Sequence, residues 1–284
     1  VRRCMESDIL RKKNHTAHPG NIADEQRVKD ANRRLHGAIA PEYHHRRAVY
    51  HPVVMDGLRR LLSPFLEGHT GLALDAGCGD GYIDALLDGA GFNTVGFDLC
   101  EEIAAEAGRR RPGCRVAVAD VFSPPFRDDT FDLLAVSGVL HHVVDYRRML
   151  SGLLPLVKGG GLVLVLNEPN AAGYALLGPV RRVTARLLPE RRVAEKEASG
   201  RLERGDAELA EYHLFHGEGV RPAAVRETLE AGGCRLLRTN YTNGNIIANI
   251  GDRASIDLLS ALPFAGRIGW GRLSMEFNMV AQKS

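Results

Sequence analysis

The segment Leu72-Ala73-Leu74-Asp75-Ala76-Gly77-Cys78-Gly79-Asp80-Gly81 is an apolar run closed by an acid and followed by a glycine-dense turn. An apolar run of this length reads as a buried strand. Gly77, Gly79 and Gly81 leave bare backbone against which a ligand can lie without striking a Cβ. The same rhythm then repeats. Leu72–Asp75, Thr94–Asp98, Arg115–Asp120, Phe131–Ser137 and Leu162–Leu166 are strand-sized apolar runs. Tyr82–Ala90, Glu101–Arg111 and Asp145–Val157 between them have helical spacing, with glycine stops at Gly91 and Gly159-Gly160-Gly161. Such alternation predicts an α/β fold built on a doubly wound, mostly parallel sheet. The pattern resumes with a helix over Arg221–Ala231 and strands over Arg235–Asn240 and Ser274–Gln282.

The ends of these runs carry the chemistry. Asp75 ends the first, Asp98 the second, 21 residues after Gly77, and Asp120 the third, 22 residues further on. An acid at the second position can accept both hydroxyls of a ribose, and one at the third can face the exocyclic amine of adenine. Any one of them alone reads equally well as a helix cap or turn acid. Three at this spacing describe a nucleoside-shaped site. A dinucleotide turn would place its third glycine at position 82, where this chain has Tyr82, and a Walker phosphate loop is absent. The site therefore suits an adenosyl group without a pyrophosphate.

Charge narrows the partners. Lys+Arg 37 against Asp+Glu 35 gives +2, too balanced for a surface that grips a nucleic-acid backbone throughout. Residues 1–60 are locally basic, with 13 basic and 7 acidic side chains. No apolar stretch approaches the ~20 residues of a membrane helix, and no apolar leader core precedes the first helix, so neither a membrane nor secretion is expected. Five cysteines without Cys-x-x-Cys pairing suit reduced thiols in a cytoplasm. Nothing in the composition opposes a homodimer.

At residues 75–81 the chain resembles the class I S-adenosylmethionine-dependent methyltransferases, in particular their small-molecule, type 11 branch. The resemblance covers about 69–168 well and 220–282 in outline. Asp75 to Gly81 matches the first motif, Asp98 the ribose acid of the second and Asp120-Val121 the adenine contact of the third. Phe131 to Val143 resembles the fourth strand with its loop, and Leu154 to Gly161 the approach to the fifth, with Val157-Lys158-Gly159 where Leu-Lys-Pro is commoner. The resemblance implies a seven-stranded Rossmann-like sheet with an antiparallel last strand, for which Ser274–Gln282 is the candidate. It also implies S-adenosylmethionine as cofactor and S-adenosylhomocysteine as product, with contacts at Tyr43, Asp75, Gly77, Cys78, Gly79, Asp98, Leu99, Asp120, Val121 and Ser137. At Tyr43, the aromatic that closes over the cofactor, the usual following Asp is replaced by His44.

The expected organisation is an N-terminal helical segment and lid (1–66, with 1–23 an irregular lead-in) and a cofactor-binding core (67–169). A helical insertion over the substrate (170–219) and the end of the core (220–284, interrupted by 243–272) follow. Residues 189–211, with 12 charges in 23 positions, and the pairs Arg33-Arg34, Arg46-Arg47 and Arg59-Arg60 read as solvated helix faces. His141, His142 and Glu168 are the candidate catalytic groups, since displacement at a sulfonium methyl from a neutral hydroxyl needs a proton acceptor. His213 and His216, three apart without a carboxylate pattern, are too little for a metal site, and no metal is expected. The implied function is methyl transfer to a small-molecule acceptor, foremost a hydroxyl oxygen of a bacterial secondary metabolite such as an antibiotic precursor. A quinone-precursor carbon or a tRNA base is the alternative acceptor, and a cofactor-binding subunit without catalysis lies outside enzymology.

Overall fold

The computed structural model describes residues 22–46, 52–175, 205–215, 219–242 and 276–284. Nearly all of the 1–23 lead-in, Leu188 with most of the 170–219 insertion, His216 and the 243–272 interruption lie outside the described residues. Three helices come first: α1 (Ile22–Ile39), the short α2 (Tyr43–Arg46) and α3 (Pro52–Leu66). Strand and helix then alternate through β1 (Gly71–Ala76), α4 (Tyr82–Gly89), β2 (Phe92–Asp98), α5 (Glu101–Arg110), β3 (Arg115–Val118), β4 (Phe131–Ser137), α6 (Tyr146–Leu153) and β5 (Val157–Pro169). The short helices α7 (Asp206–Ala210) and α8 (Tyr212–Phe215) precede α9 (Pro222–Ala231), β6 (Cys234–Thr242) and β7 (Glu276–Lys283).

The seven strands form one sheet in the order β3-β2-β1-β4-β5-β7-β6. β1 to β5 run parallel, and β7 lies antiparallel between β5 and β6, as expected for the last strand. Alternate residues feed two apolar layers, which is why the central strands are almost continuously hydrophobic. Ala73, Leu133, Ala135, Leu162 and Leu164 pack against α3 and α4 through Leu58, Leu62, Ile83 and Leu87. Leu74, Leu134, Val136, Val163 and Val165 face the opposite layer with Phe126, Met149, Leu150 and Leu229. The helices start on local signals: Asp145 caps α6 by accepting the Arg148 N–H at 2.9 Å, and Pro222 opens α9. No helix among the described residues is long and apolar enough to cross a membrane. The four described cysteines are unpaired, and Cys4 is not among them.

Two of the boundaries that differ from the sequence reading bear on the site. β5 begins at Val157 and not at Leu162, because Gly160 takes a φ of +80° and lets the strand shift register against β4 where a stop was expected. β3 ends at Val118, so Asp120 stands beyond the strand and not on it. The arginine pairs also divide. Arg33 pairs with exposed Asp30, whereas Arg34 grips Asp206 in a two-pronged bond at 2.8 and 2.7 Å. Asp206 is only 2% exposed, so that member of the charged 189–211 run is a buried anchor between α1 and α7 and not a solvated face.

Behind the glycine turn lies an acidic pair. Asp75 is 1% exposed and faces Asp84 of α4, while Arg111 Nη1 stands 3.6 Å from Asp84 Oδ2. Gly96 of β2 makes room for them, since a Cβ there would sit 2.9 Å from both Asp84 Oδ2 and Cys78. Burial, then the Asp84 charge, raises the Asp75 carboxyl well above its usual range. Burial outweighs Arg111 at Asp84 and takes it to about 6. An acid raised in the folded state stabilises the fold only while protonated. Stability should therefore fall as pH climbs from about 4 to about 6, by on the order of 1–3 kcal/mol. Asp84→Asn should flatten that slope and raise stability at pH 7.5, read by urea unfolding at several pH values. An unchanged slope in the variant would contradict the assignment.

Candidate functional site

In this strand order the chain reverses direction between β1 and β4, and a crevice opens at their carboxyl ends. One cavity occupies it. Its floor is Gly77 after β1, Asp98 and Leu99 after β2, Asp120 to Phe122 after β3, and Gly138, Val139, His142 and Val143 after β4. Its roof is α1, through Val28, Lys29, Asn32 and His36, joined by Tyr43. The cavity measures about 80 Å³. That is far below the ~300–1,000 Å³ of pockets holding drug-sized ligands, because α1 lies across it.

The glycine turn is tied down from below. Gly77 and Cys78 donate their N–H groups to Phe97 O at 2.9 and 3.0 Å, and Gly79 N donates to Asp98 Oδ2 at 2.9 Å. Those amides are spent inside the fold, so the turn is a bare spacer and not a phosphate cradle. Gly77 itself is obligatory: its φ is +77° and a Cβ would lie 2.6 Å from Val139 Cγ2. Asp98 Oδ1 accepts the Cys100 N–H at 2.9 Å. Each carboxylate oxygen has a second lone pair, which leaves Asp98 able to take two hydroxyls. Asp120 Oδ1 accepts the Phe122 N–H at 2.9 Å, and Oδ2 pairs with Lys29 at 2.6 Å. Lys29 also meets Glu25 at 2.5 Å and lies 4.8 Å over the Phe122 ring. An amine reaching Asp120 must therefore displace a lysine of the roof.

The loop after β4 is organised by Glu168. Between Val165 and Glu168 the β5–β7 pairing slips, and Asn167 adopts a φ of +54°. This bulge carries the Glu168 carboxylate, 0% exposed, under the loop. Oε1 accepts the N–H groups of Val139 and Leu140 at 2.7 and 2.9 Å, and Oε2 lies 3.1 Å from His141 Nδ1. His141 Nε2 stands 3.3 Å from Glu211 Oε2, between α7 and α8. Burial disfavours charge on His141, but the two glutamates outweigh it and push it up to about 9. Glu211 is raised by burial and held well below the usual carboxylate range by the histidines facing it. His142 donates from Nδ1 to Ala210 O at 2.6 Å; burial, then His141, lowers its pKa, so it stays neutral with a lone pair on Nε2.

Six of the ten cofactor positions named from the sequence line the cavity: Tyr43, Gly77, Asp98, Leu99, Asp120 and Val121. Asp75 is behind the turn, Cys78 is buried against Gly96, and Gly79 packs under the Tyr43 ring. Ser137 bonds Tyr82 and Asn167 in a buried network with Asn278. Of the catalytic candidates, only His142 lines the cavity. His141 and Glu168 stand behind it with their polar atoms engaged. Lys29, Phe122 and Glu211 carried no local sequence signal, since their partners Asp120, Arg148 and His141 lie far away in the chain.

Residues 74–165 match the model of a methyltransferase domain. The ubiquinone biosynthesis O-methyltransferase of Methylococcus capsulatus is 32% identical over 35% of this chain and 46% of its own length. The demethylmenaquinone methyltransferase of Mycobacterium marinum is 29% identical over 63% of this chain and 78% of its own. The chain thus spans about half the length of the first of these relatives. The crystal structure of an S-adenosylmethionine-dependent methyltransferase from Mesorhizobium loti shares the fold, with a TM-score of 0.50 at 18% identity, covering 78% of this chain and 97% of that one. Residues 74–165 thus carry a methyltransferase domain of the type 11 kind, set in a seven-stranded sheet of the fold that S-adenosylmethionine-dependent methyltransferases of known structure share.

Proposed function

We propose that this chain binds S-adenosylmethionine beneath α1 and transfers its methyl group to a small-molecule acceptor, foremost a hydroxyl oxygen of a secondary metabolite. The reading is carried by the convergence of Gly77, Asp98 and Asp120, from three loops, on one cavity whose turn amides are already spent. When bound, the cofactor supplies an electrophilic methyl group on a sulfonium. Asp98 holds the ribose hydroxyls through its remaining lone pairs, and bare Gly77 lets the ligand approach. α1 and Tyr43 roof the cavity and exclude water. His142 accepts the acceptor's proton at Nε2, while His141 and Glu168 hold the loop that carries it.

A quinone-precursor acceptor is the second reading. It is supported by the activities for which the two relatives are named, one of which aligns with most of this chain. An RNA acceptor remains tied to the basic N-terminal segment, and a salt-dependent RNA affinity would favour it over a small molecule.

Two outcomes follow from the geometry. Asp98→Ala removes two hydrogen bonds to a carboxylate, each worth ~1.5–3 kcal/mol. S-adenosylhomocysteine affinity should fall roughly 150-fold or more. Lys29→Ala, which frees Asp120, should leave that affinity equal or severalfold tighter. Calorimetry reads both, and full binding in Asp98→Ala would contradict the cofactor site. With an acceptor that turns over, His142→Gln should lower kcat by about 10²–10⁴ without weakening S-adenosylhomocysteine. A variant at wild-type kcat would remove His142 from the reaction.

A further inference from the structure

Around His141 the structure gathers a ligand set that the sequence reading did not foresee. One ligand atom each from His141, His142 and Glu211 lies within 4.8 Å of the others. Three observations point beyond a knot of ion pairs. First, Glu168, locked by two backbone N–H groups, holds His141 Nδ1 and so fixes the ring with Nε2 facing Glu211. A carboxylate behind a histidine in this way is how metal-binding imidazoles are oriented.

Second, the His141 Nε2 to Glu211 Oε2 separation is 3.3 Å. A charge-assisted N–H···O bond closes to ~2.7–2.9 Å. Two ligands bonded at about 2.1 Å to one ion stand roughly 3.0–3.4 Å apart. Third, Glu168 and Glu211 set two carboxylates against one histidine, an excess of negative charge in a largely buried place.

We propose that His141, His142 and Glu211 bind a divalent cation of the zinc type at the edge of the cavity. Two imidazole nitrogens and one carboxylate oxygen suit zinc and its first-row neighbours, whereas magnesium and calcium prefer all-oxygen sets. On binding, His141 Nε2 releases its proton to solvent and gives its lone pair to the ion. His142 also lines the cavity, so the ion would adjoin the space left for an acceptor. Cation binding stands without the methyl-transfer reading; its use rests on that reading. There the ion would lower the pKa of an acceptor hydroxyl, and His142 would serve as its ligand in place of free base.

The test titrates zinc chloride into EDTA-stripped protein by calorimetry, with S-adenosylhomocysteine titrated separately. Cobalt(II) adds a visible-absorption readout of the coordination sphere. The expected result is one saturable zinc site, weakened on the order of 10–100-fold or more in Glu211→Gln and in His142→Gln, with the cobalt band lost in both. Glu211 is about a third exposed at a helix–helix turn, and circular dichroism of its Gln variant, expected to match the parent, checks that it folds. Zinc that does not bind, or binds parent and Glu211→Gln alike, overturns the site and leaves a Glu168–His141–Glu211 ion-pair chain. S-adenosylhomocysteine binding in that case keeps the methyltransferase reading. A zinc site without S-adenosylhomocysteine binding supports the inference and overturns that reading.

Discussion

The Asp98 carboxylate is the hinge pin of the site. With one oxygen it accepts the N–H of Gly79 and with the other that of Cys100, so the turn after β1 and the helix after β2 are fastened to one side chain. Remove that acid and two buried amides lose their partner at the moment the turn loses its anchor. The same group is the one best placed to hold a ribose. Structure and the proposed recognition of a ribose therefore meet in one residue.

A second buried acid, Glu168, plays the matching part on the other side of the crevice. The bulge at Asn167 aims it beneath the loop after β4, where it takes two backbone N–H groups and orients His141. The roof is then assembled from distant parts of the chain. Arg34 of α1 grips Asp206 of α7, Asn32 donates to His142 O at 3.1 Å, and Glu211 reaches His141. α1 is thereby joined both to the loop beside the cavity and to the segment at 205–215. A ligand entering beneath α1 must loosen the Lys29–Asp120 pair, which is only part-buried.

What the sequence made legible was what chemistry wrote locally. The strand–turn–helix rhythm, the glycine at 77 and the acid at 98 stand within a few residues of the backbone features they serve, whereas Asp120 lies two residues past the end of β3 and still lines the cavity. The edges of β3 and β5 were less legible, because a glycine run that looks like a stop can also be a bulge inside a strand. Asp206 and Glu211 were misread as members of a solvated run. Their character is set by Arg34 and His141, each about 70 or more residues away in the chain, and no local pattern announces such a contact. The roles of His141 and Glu168 turned on burial, which residue type does not reveal: His142, beside them, is the one that reaches the cavity.

The most direct test is a crystal structure of the chain with S-adenosylhomocysteine. The account predicts the ribose hydroxyls on Asp98, the adenine edge at Asp120 with Lys29 withdrawn, and the sulfur end beside Gly77 and His142. A ligand bound elsewhere, or the Lys29–Asp120 pair left intact above a ligand that avoids Asp98, would contradict it.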